Sequence, residues 1–153
     1  HAITGNEVAA VRQHVGIMDI SAFSKIEISG KDASAVLQRL VANQLPERVG
    51  GIVLTHLLNR RGRIEIEVTA IRLAEDSFYL VCAAFFEQRL IDHITQHAVD
   101  SDFELANRSV EWGALALQGP ASRDVLAAVT DTPLDNARFR WLSAQQIEIA
   151  GTR

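Results

Sequence analysis

Apolar and polar residues alternate from Ile64 to Ala70, which reads IEIEVTA. This period of two is typical of a β-strand with one buried face. The preceding segment, Asn59-Arg60-Arg61-Gly62, has the composition of a hairpin turn, and IVLTHLL before it supplies a partner strand. Glu65 and Glu67 would then lie on the polar face of a hairpin, which is an ordinary place for carboxylates.

Helical spacing of apolar residues and strand-like runs alternate along the rest of the chain. The predicted helices are 6–15 with Asn6 as N-cap, DASAVLQRLVAN with Asp32 as N-cap, FFEQRLIDHITQHAV with Phe86, Leu90, Ile94 and Val99 inward, and SRDVLAAVT capped by Ser122. Besides the hairpin arms, the predicted strands are KIEIS, a more fully buried SFYLVCAAF, DFELAN, WGALALQ and RWLSAQQIEIAG.

The order of these elements predicts an α+β fold, a mainly antiparallel sheet with helices on one face. Residues 1–24 form a helix and an extended lead-in, and residues 25–107 form a strand-helix-strand-strand-strand-helix-strand subdomain. Residues 108–153 begin a second, similar α/β unit. The chain starts with histidine and closes on IEIAGTR, a strand and the start of a turn, so we expect an incomplete fragment of a longer polypeptide.

Composition narrows the class of protein. The 153 residues are 48% hydrophobic and 22% charged, as in a globular domain of average size. The net charge of -4 argues against nucleic acid or an anionic membrane as a partner, and the apolar runs are shorter than the roughly 18 residues of a membrane span. The single Cys82, predicted to be a buried thiol, excludes an internal disulfide and agrees with a reducing compartment.

Motifs for phosphate binding, metalloprotease or serine hydrolase chemistry are absent from the sequence. His93 and His97 are four residues apart on a predicted helix, but no third ligand is obvious, so we predict no metal site. Arg60, Arg61 and Arg63 are either a solvated turn or a contact for an anionic tail such as a glutamate chain. The residues alone therefore indicate an α+β domain without assigning its chemistry.

Four segments, in order, resemble the folate-binding aminomethyltransferase family, the T-protein of glycine cleavage and its relatives. They are AVRQHVGIMDISAFSKIEISGKDASAVLQRLVAN, LLNRRGRIEIEVTAIRL, DSFYLV and LALQGPASRDVLAAV. AFSKIEISG, RLAEDSFYLV and ARFRWLSAQQIEIAG are most similar to the C-terminal folate-binding part of dimethylglycine and sarcosine dehydrogenases. The resemblance covers most of the chain from Glu7 onward and implies the T-protein folate-binding fold.

The resemblance also implies a site. It places the catalytic carboxylate at Glu67, where the family has aspartate, and Thr69 on the same face of the strand. Leu54 and Val81 match apolar folate-lining positions, and Ala83 occupies a cofactor-binding position where free T-proteins have asparagine. Glu65 is expected on the face of Glu67, without a role.

The implied activity is tetrahydrofolate-dependent transfer of an aminomethyl or methylene unit. The chain would be the folate-binding part of an N-methyl amine flavoprotein dehydrogenase or of a stand-alone aminomethyltransferase, and would be inactive alone. Tetrahydrofolate is the implied cofactor, FAD would belong to a fused or partner domain, and an N-methyl or aminomethyl donor is the other small molecule. The implied location is the bacterial cytoplasm or the mitochondrial matrix. A non-catalytic folate-binding or structural module and the iron–sulfur-assembly branch of the fold are the alternatives.

Overall fold

The computed structural model describes residues 1–152, and its elements follow one another along the chain as helices and antiparallel strands. In order they are α1 (Ala2–Gln13), β1 (Gly16–Asp19), β2 (Ser24–Ser29), α2 (Ala33–Leu40), β3 (Ile52–Leu58), β4 (Ile64–Ala74), β5 (Ser77–Cys82), a 3₁₀ helix (Ala84–Phe86), α3 (Glu87–His97), β6 (Glu104–Asn107), β7 (Leu115–Gln118) and α4 (Ser122–Ala127). Within residues 1–152, no helix is long and apolar enough to cross a membrane.

The chain divides into two compact units. The larger unit contains Ser21–Gly113 and Leu142–Ala144; the smaller contains His1–Ile20, Ala114–Trp141 and the chain from Gln145 onward. This grouping differs from the predicted division at residues 24 and 107, because β1 pairs with β7 and so joins the N-terminal lead-in to the later segment. The predicted end of the second unit, at residue 153, lies outside the described residues.

The larger unit is a five-stranded antiparallel sheet with the order β3-β4-β5-β2-β6. One face of it packs against α2 and α3, because alternate residues of the strands and the apolar stripes of both helices form one core. The core includes Ile26, Ile28, Val36, Leu37, Leu57, Ile66, Val68, Phe78, Leu80, Leu90 and Ile94, all at most 1% exposed. The predicted α+β class with helices on one face is confirmed.

The hairpin between β3 and β4 forms as predicted from the sequence. The backbone N–H of Gly62 donates to the carbonyl oxygen of Asn59 at 2.9 Å, and Gly62 has a φ of 71°, which glycine adopts without a steric cost. The side-chain oxygen of Asn59 accepts the N–H groups of Arg61 and Arg63 at 2.9 and 3.1 Å. Asn59 therefore organises the turn through its side chain.

Several predicted boundaries and caps are wrong. The first helix begins at Ala2 rather than at Asn6, and α4 follows Ala121, so Ser122 is its first residue rather than its cap. Asp32 does precede α2, but its carboxylate accepts the N–H of Asp102 at 2.8 Å, a tertiary contact that replaces the local cap. Val99 lies beyond the end of α3 and is 72% exposed.

Two predicted strands also differ. β5 alternates between buried and half-buried residues, because α2 and α3 pack on one face of the sheet, so it is not fully buried. The predicted strand RWLSAQQIEIAG forms isolated bridges only, from Ser143 to Gly51 and from Ile149 to Thr152. A β-rich composition is not sufficient for a strand where no continuous partner is aligned with it.

A strand–glycine–helix turn occurs once in each unit. Gly30 follows β2 with a φ of 126°, and Gly119 follows β7 with a φ of 118°. A Cβ atom at Gly30 would lie 2.8 Å from the carbonyl oxygen of Asp102, and at Gly119 it would lie 2.6 Å from those of Val11 and His14. Each glycine thus allows a close approach of two backbone segments.

We predict that Gly30→Ala lowers the free energy of unfolding more than Gly62→Ala. Both glycines have a positive φ, which costs about 1–2 kcal/mol for alanine, but a Cβ at Gly62 meets no atom within 4 Å. Gly30→Ala adds the collision with Asp102, so its loss is expected to exceed that of Gly62→Ala by at least about 1 kcal/mol. Urea unfolding of both variants measures the difference, and equal losses would contradict the close contact.

Candidate functional site

The face of the five-stranded sheet opposite α2 and α3, here called the open face, carries most of the predicted site residues. Leu54 pairs with Thr69, and Thr69 pairs with Val81, so these three positions form one row across β3, β4 and β5. Leu54 is 50% exposed, and Thr69 and Val81 are half-buried. The cross-strand pairing therefore brings three of the four predicted cofactor-binding residues together.

Lys25 completes this row on β2, opposite Val81. Its side chain is 1% exposed, and its ammonium donates to the carbonyl oxygens of Ser21 and Phe23 at 2.8 and 2.6 Å. A buried ammonium has to be hydrogen-bonded to compensate for its lost hydration. Lys25 thus ties the lead-in loop to the end of the row and does not present its charge to the open face.

Glu67 lies beside this row, near one end of β4. Its side chain is 65% exposed, so the carboxylate is accessible on the open face. Its cross-strand partner is His56, whose Nε2 lies 3.4 Å from Oε2 of Glu67. The two groups form an ion pair whenever the imidazole is protonated.

The prediction that Glu65 shares the face of Glu67 is wrong. A β-bulge interrupts the β3–β4 register at Leu57/Leu58, so strict alternation does not continue into the turn. The Oε1 atom of Glu65 accepts the side-chain N–H of Asn59 at 2.8 Å, and its Oε2 atom pairs with Arg89 on α3. Glu65 therefore reaches the helix side of the sheet, and Glu67 is left as the carboxylate of β4 on the open face.

Ala83 lies outside the ladder. The pairing of β4 with β5 ends at Thr69 and Val81, and Ala83 is the extended residue that precedes the 3₁₀ helix. It is exposed and has no polar side-chain atom. The structure therefore places Ala83 two residues beyond the row formed by the other three predicted positions.

An aromatic and charged cluster occupies the other end of the open face, and sequence reasoning missed it. Tyr79 and Trp112 have ring centroids 5.4 Å apart, and the guanidinium of Arg108 lies 5.7 Å from the Trp112 ring. Arg108 also pairs with Glu27 at 3.2 Å. Burial raises the pKa of Tyr79, so its phenol stays neutral at physiological pH.

His56 is a further residue whose place in the site was not predicted from the sequence. The period-2 pattern of IVLTHLL places His56 on the face of Leu54, but the pattern of one strand does not reveal its neighbour. Only the β3–β4 register shows that His56 lies opposite Glu67. Without the β-bulge, the pairing of Leu58 with Ile64 would set His56 opposite Ile66, so the hairpin turn read from the sequence does not give this pair.

The other candidates for chemistry have structural explanations. Cys82 is 3% exposed, and burial raises the pKa of its thiol, so it is a protonated core residue as predicted. His93 and His97 stack with ring centroids 4.4 Å apart. Across residues 1–152, no group of three or more histidine, cysteine, aspartate or glutamate side chains could hold a metal ion.

The profile of the GCVT N-terminal domain family matches residues 1–153. The chain belongs to this family. It is 33% identical over 148 residues to mitochondrial dimethylglycine dehydrogenase of Rattus norvegicus, a match that covers 95% of this chain. It is also 32% identical over 134 residues to an aminomethyltransferase of Chloroherpeton thalassium, which covers 87% of this chain. The family membership predicted from the sequence is confirmed.

Solved structures of this fold agree with the family assignment. The glycine cleavage system aminomethyltransferase T of Bartonella henselae superposes with a TM-score of 0.75 at 30% identity, over 80% of this chain and 34% of that chain. A chain of the heterotetrameric sarcosine oxidase of Corynebacterium sp. U-96 gives a TM-score of 0.71 over 98% of this chain and 74% of that chain. At 18% identity, the second likeness shows the fold alone.

The chain spans a minor part of its curated relatives, 17% of the rat dehydrogenase and 37% of the bacterial aminomethyltransferase. Both relatives are enzymes by name, one mitochondrial and one bacterial. The region that the chain shares with both relatives is the family domain.

We predict that Glu65→Gln and Glu67→Gln have different effects on stability. Glu65 is 18% exposed and bonded to both Asn59 and Arg89, so loss of its charge is expected to cost about 1–2 kcal/mol. Glu67 is mostly exposed and, within residues 1–152, its ion-pair partner is His56, so its variant should stay within about 0.5 kcal/mol of the natural chain. Urea unfolding of both variants measures this, and a large loss for Glu67→Gln would indicate a structural role instead.

Proposed function

We propose that the open face binds the reduced folate in a tetrahydrofolate-dependent transfer of an aminomethyl or methylene group. One observation carries the proposal: an accessible carboxylate, Glu67, stands next to a half-exposed row of Leu54, Thr69 and Val81 on the sheet face opposite α2 and α3. Carboxylates on such faces are usually solvated, but here the neighbours of Glu67 offer an apolar surface. Membership of the GCVT N-terminal domain family supports the same assignment.

The residues present fit a flat, partly polar heterocycle. Leu54 and Val81 supply apolar contact on either side of Thr69, whose hydroxyl can donate or accept a hydrogen bond. Ala83 supplies no polar contact, so any hydrogen bonds to the ring edge come from other groups. Tyr79 and Trp112 extend the surface with aromatic rings, which suit stacking against a planar ligand.

Glu67 has two tasks in the proposed reaction. Its negative charge stabilises the cationic one-carbon unit electrostatically, and its carboxylate accepts the proton that the attacking folate nitrogen loses. Both tasks require an ionised carboxylate that a ligand can reach, and the side chain of Glu67 is 65% exposed. If β4 simply presented a solvated face to water, it would not require the apolar row beside Glu67.

His56 is a positioning residue in this proposal. At 3.4 Å from Glu67, its imidazole restricts the position of the longer glutamate side chain that stands where the family has aspartate. Displacement of a catalytic group by about 1 Å can cost about a hundredfold in rate. The pair therefore supplies a means by which glutamate could be held at a working position.

The wider polypeptide is proposed by analogy with the dehydrogenase relatives. There, an FAD-bearing domain or partner would oxidise an N-methyl amine such as dimethylglycine or sarcosine, and the folate would capture the one-carbon unit. A stand-alone aminomethyltransferase would instead receive an aminomethyl donor. We propose a location in the bacterial cytoplasm or the mitochondrial matrix on the same basis. Ala83 and the aspartate-to-glutamate exchange favour a second candidate, a non-catalytic folate-binding module.

The first test is calorimetric titration of folinate, a stable tetrahydrofolate analogue, into the natural polypeptide that contains this chain. We expect saturable binding with a Kd on the order of micromolar, weakened about tenfold by Glu67→Gln because a charged contact is lost. Glu75→Gln is the matched control, since Glu75 is an exposed carboxylate in the β4–β5 turn. No binding to a well-folded protein would contradict the folate assignment.

The second test separates catalysis from binding. We expect His56→Gln to lower the rate of methylene transfer by about tenfold or more while the folinate Kd stays within about twofold, because a positioning residue acts on orientation. Single-turnover formation of methylenetetrahydrofolate measures the rate. Normal folinate binding without any transfer by the natural protein would instead support the non-catalytic module.

A further inference from the structure

A cavity lies on the helix side of the sheet, away from Glu67 and His56. It has a volume of about 580 Å³ and is lined by α2, the β3–β4 turn, β4 and α3. Its ionisable lining residues are Arg39, Arg60, Glu65, His93 and His97. We call it the helix-side cavity. Neither the predicted folate site nor the structural core accounts for this grouping of basic side chains.

The helix-side cavity has an excess of positive charge. Glu65 is the carboxylate in its lining, and both of its oxygens are already used by Asn59 and Arg89. Arg39 and Arg60 make no ion pair among the described residues. The net charge of the chain is -4, so its composition alone does not predict a cluster of positively charged side chains. Guanidinium groups that line a cavity suit oxyanions, because they donate several hydrogen bonds at fixed angles.

The two histidines of the cavity add hydrogen-bond donors, and the number of these donors depends on the protonation of the imidazole rings. Nδ1 of His97 lies 2.8 Å from the carbonyl oxygen of His93, and because a carbonyl only accepts, Nδ1 carries the hydrogen. In the neutral ring, Nε2 of His97 is therefore without a proton. Burial and the positive charges of His97 and Arg89 lower the pKa of His93.

Each element around the histidine pair carries charged side chains. Arg39 of α2, Arg60 of the turn and Glu65 of β4 line the same cavity, and Arg89 of α3 pairs with Glu65. Asp92 of α3 is exposed, and its carboxylate accepts a hydrogen bond from Gln88 at 2.8 Å. These are three guanidinium groups and two carboxylates, so the balance is positive and favours an anion in the cavity.

We propose that the helix-side cavity binds a compact multivalent oxyanion, a phosphate or polycarboxylate group, and that the His93–His97 pair takes up a proton on binding. The anion pairs with Arg39 and Arg60, and its negative charge stabilises the one imidazolium of the pair, whose ring centroids are 4.4 Å apart. The Nε2 atom of the protonated ring then becomes a donor. This site is independent of the folate proposal, since it lies on the other face of the sheet.

The test is calorimetric titration of the protein with sulfate, whose charge is constant between about pH 6 and about pH 8, the range in which histidine titrates. We expect saturable binding that is about tenfold tighter at the lower pH, because proton uptake is coupled to it. Two buffers of different ionisation enthalpy give the number of protons taken up. At the upper pH, inorganic phosphate and citrate compared with sulfate identify which oxyanion chemistry the cavity prefers.

Matched variants locate the site. Arg39→Gln and Arg60→Gln are each expected to weaken sulfate binding about tenfold, whereas Arg61→Gln, in the same turn but outside the lining, should have no effect. The His93→Gln, His97→Gln double variant should remove the pH dependence. Should that variant fail to fold, the ring resonances of His93 and His97 in the natural protein should titrate at higher pH with sulfate present, while those of His14 do not move.

Three results would overturn the proposal: no saturable binding to the folded protein, equal weakening by Arg61→Gln, or binding without proton uptake. The second would show a general charge effect of the turn, and the third would leave the histidines without a role. Folinate binding at the open face is measured separately, so the failure of either proposal can be told from the failure of the other.

Discussion

Cross-strand register in the central sheet is the constraint on which both candidate sites depend. β4 pairs with β3 and with β5, and this pairing aligns Leu54, Thr69 and Val81 although they are far apart in sequence. The same register sets His56 opposite Glu67. Because side chains alternate along a strand, a shift by one residue would move this whole set to the helix side. The core residues Ile66, Val68 and Ala70 oppose such a shift, since it would expose them.

The bulge near the β3–β4 turn divides the two carboxylates of β4 between two environments. Glu67 stays on the open face with an exposed side chain, whereas Glu65 is drawn to Arg89 on the helix side. Two glutamates that look equivalent in the sequence thus differ in burial, partners and expected role. A single extra residue in one strand is sufficient for this, because it disrupts the ladder locally and changes the direction in which nearby side chains point.

The two faces of the sheet differ in what they offer a ligand. The open face combines an apolar row, an accessible carboxylate and the Tyr79–Trp112 aromatic pair, which suits a planar and partly charged molecule. The helix-side cavity combines guanidinium and imidazole groups, which suits a compact anion. The buried core between them makes the two surfaces physically separate, so a substitution on one face can be tested without altering the other.

The sequence by itself determined the class of fold, the hairpin at Asn59–Gly62 and the family, because period-2 alternation, turn chemistry and collinear segments are all local or linear signals. Predictions from the local sequence were wrong where the structure of a segment depends on a group that is distant in the sequence. Asp32 bonds Asp102 instead of capping α2, and residues of RWLSAQQIEIAG lack a continuous partner strand. Only the tertiary structure decided that His56 meets Glu67, that Glu65 meets Arg89, and that Arg39 and Arg60 share a cavity with His93 and His97. Each of these depends on register, a bulge or helix packing, and those are set by the burial of side chains from separate segments in one core.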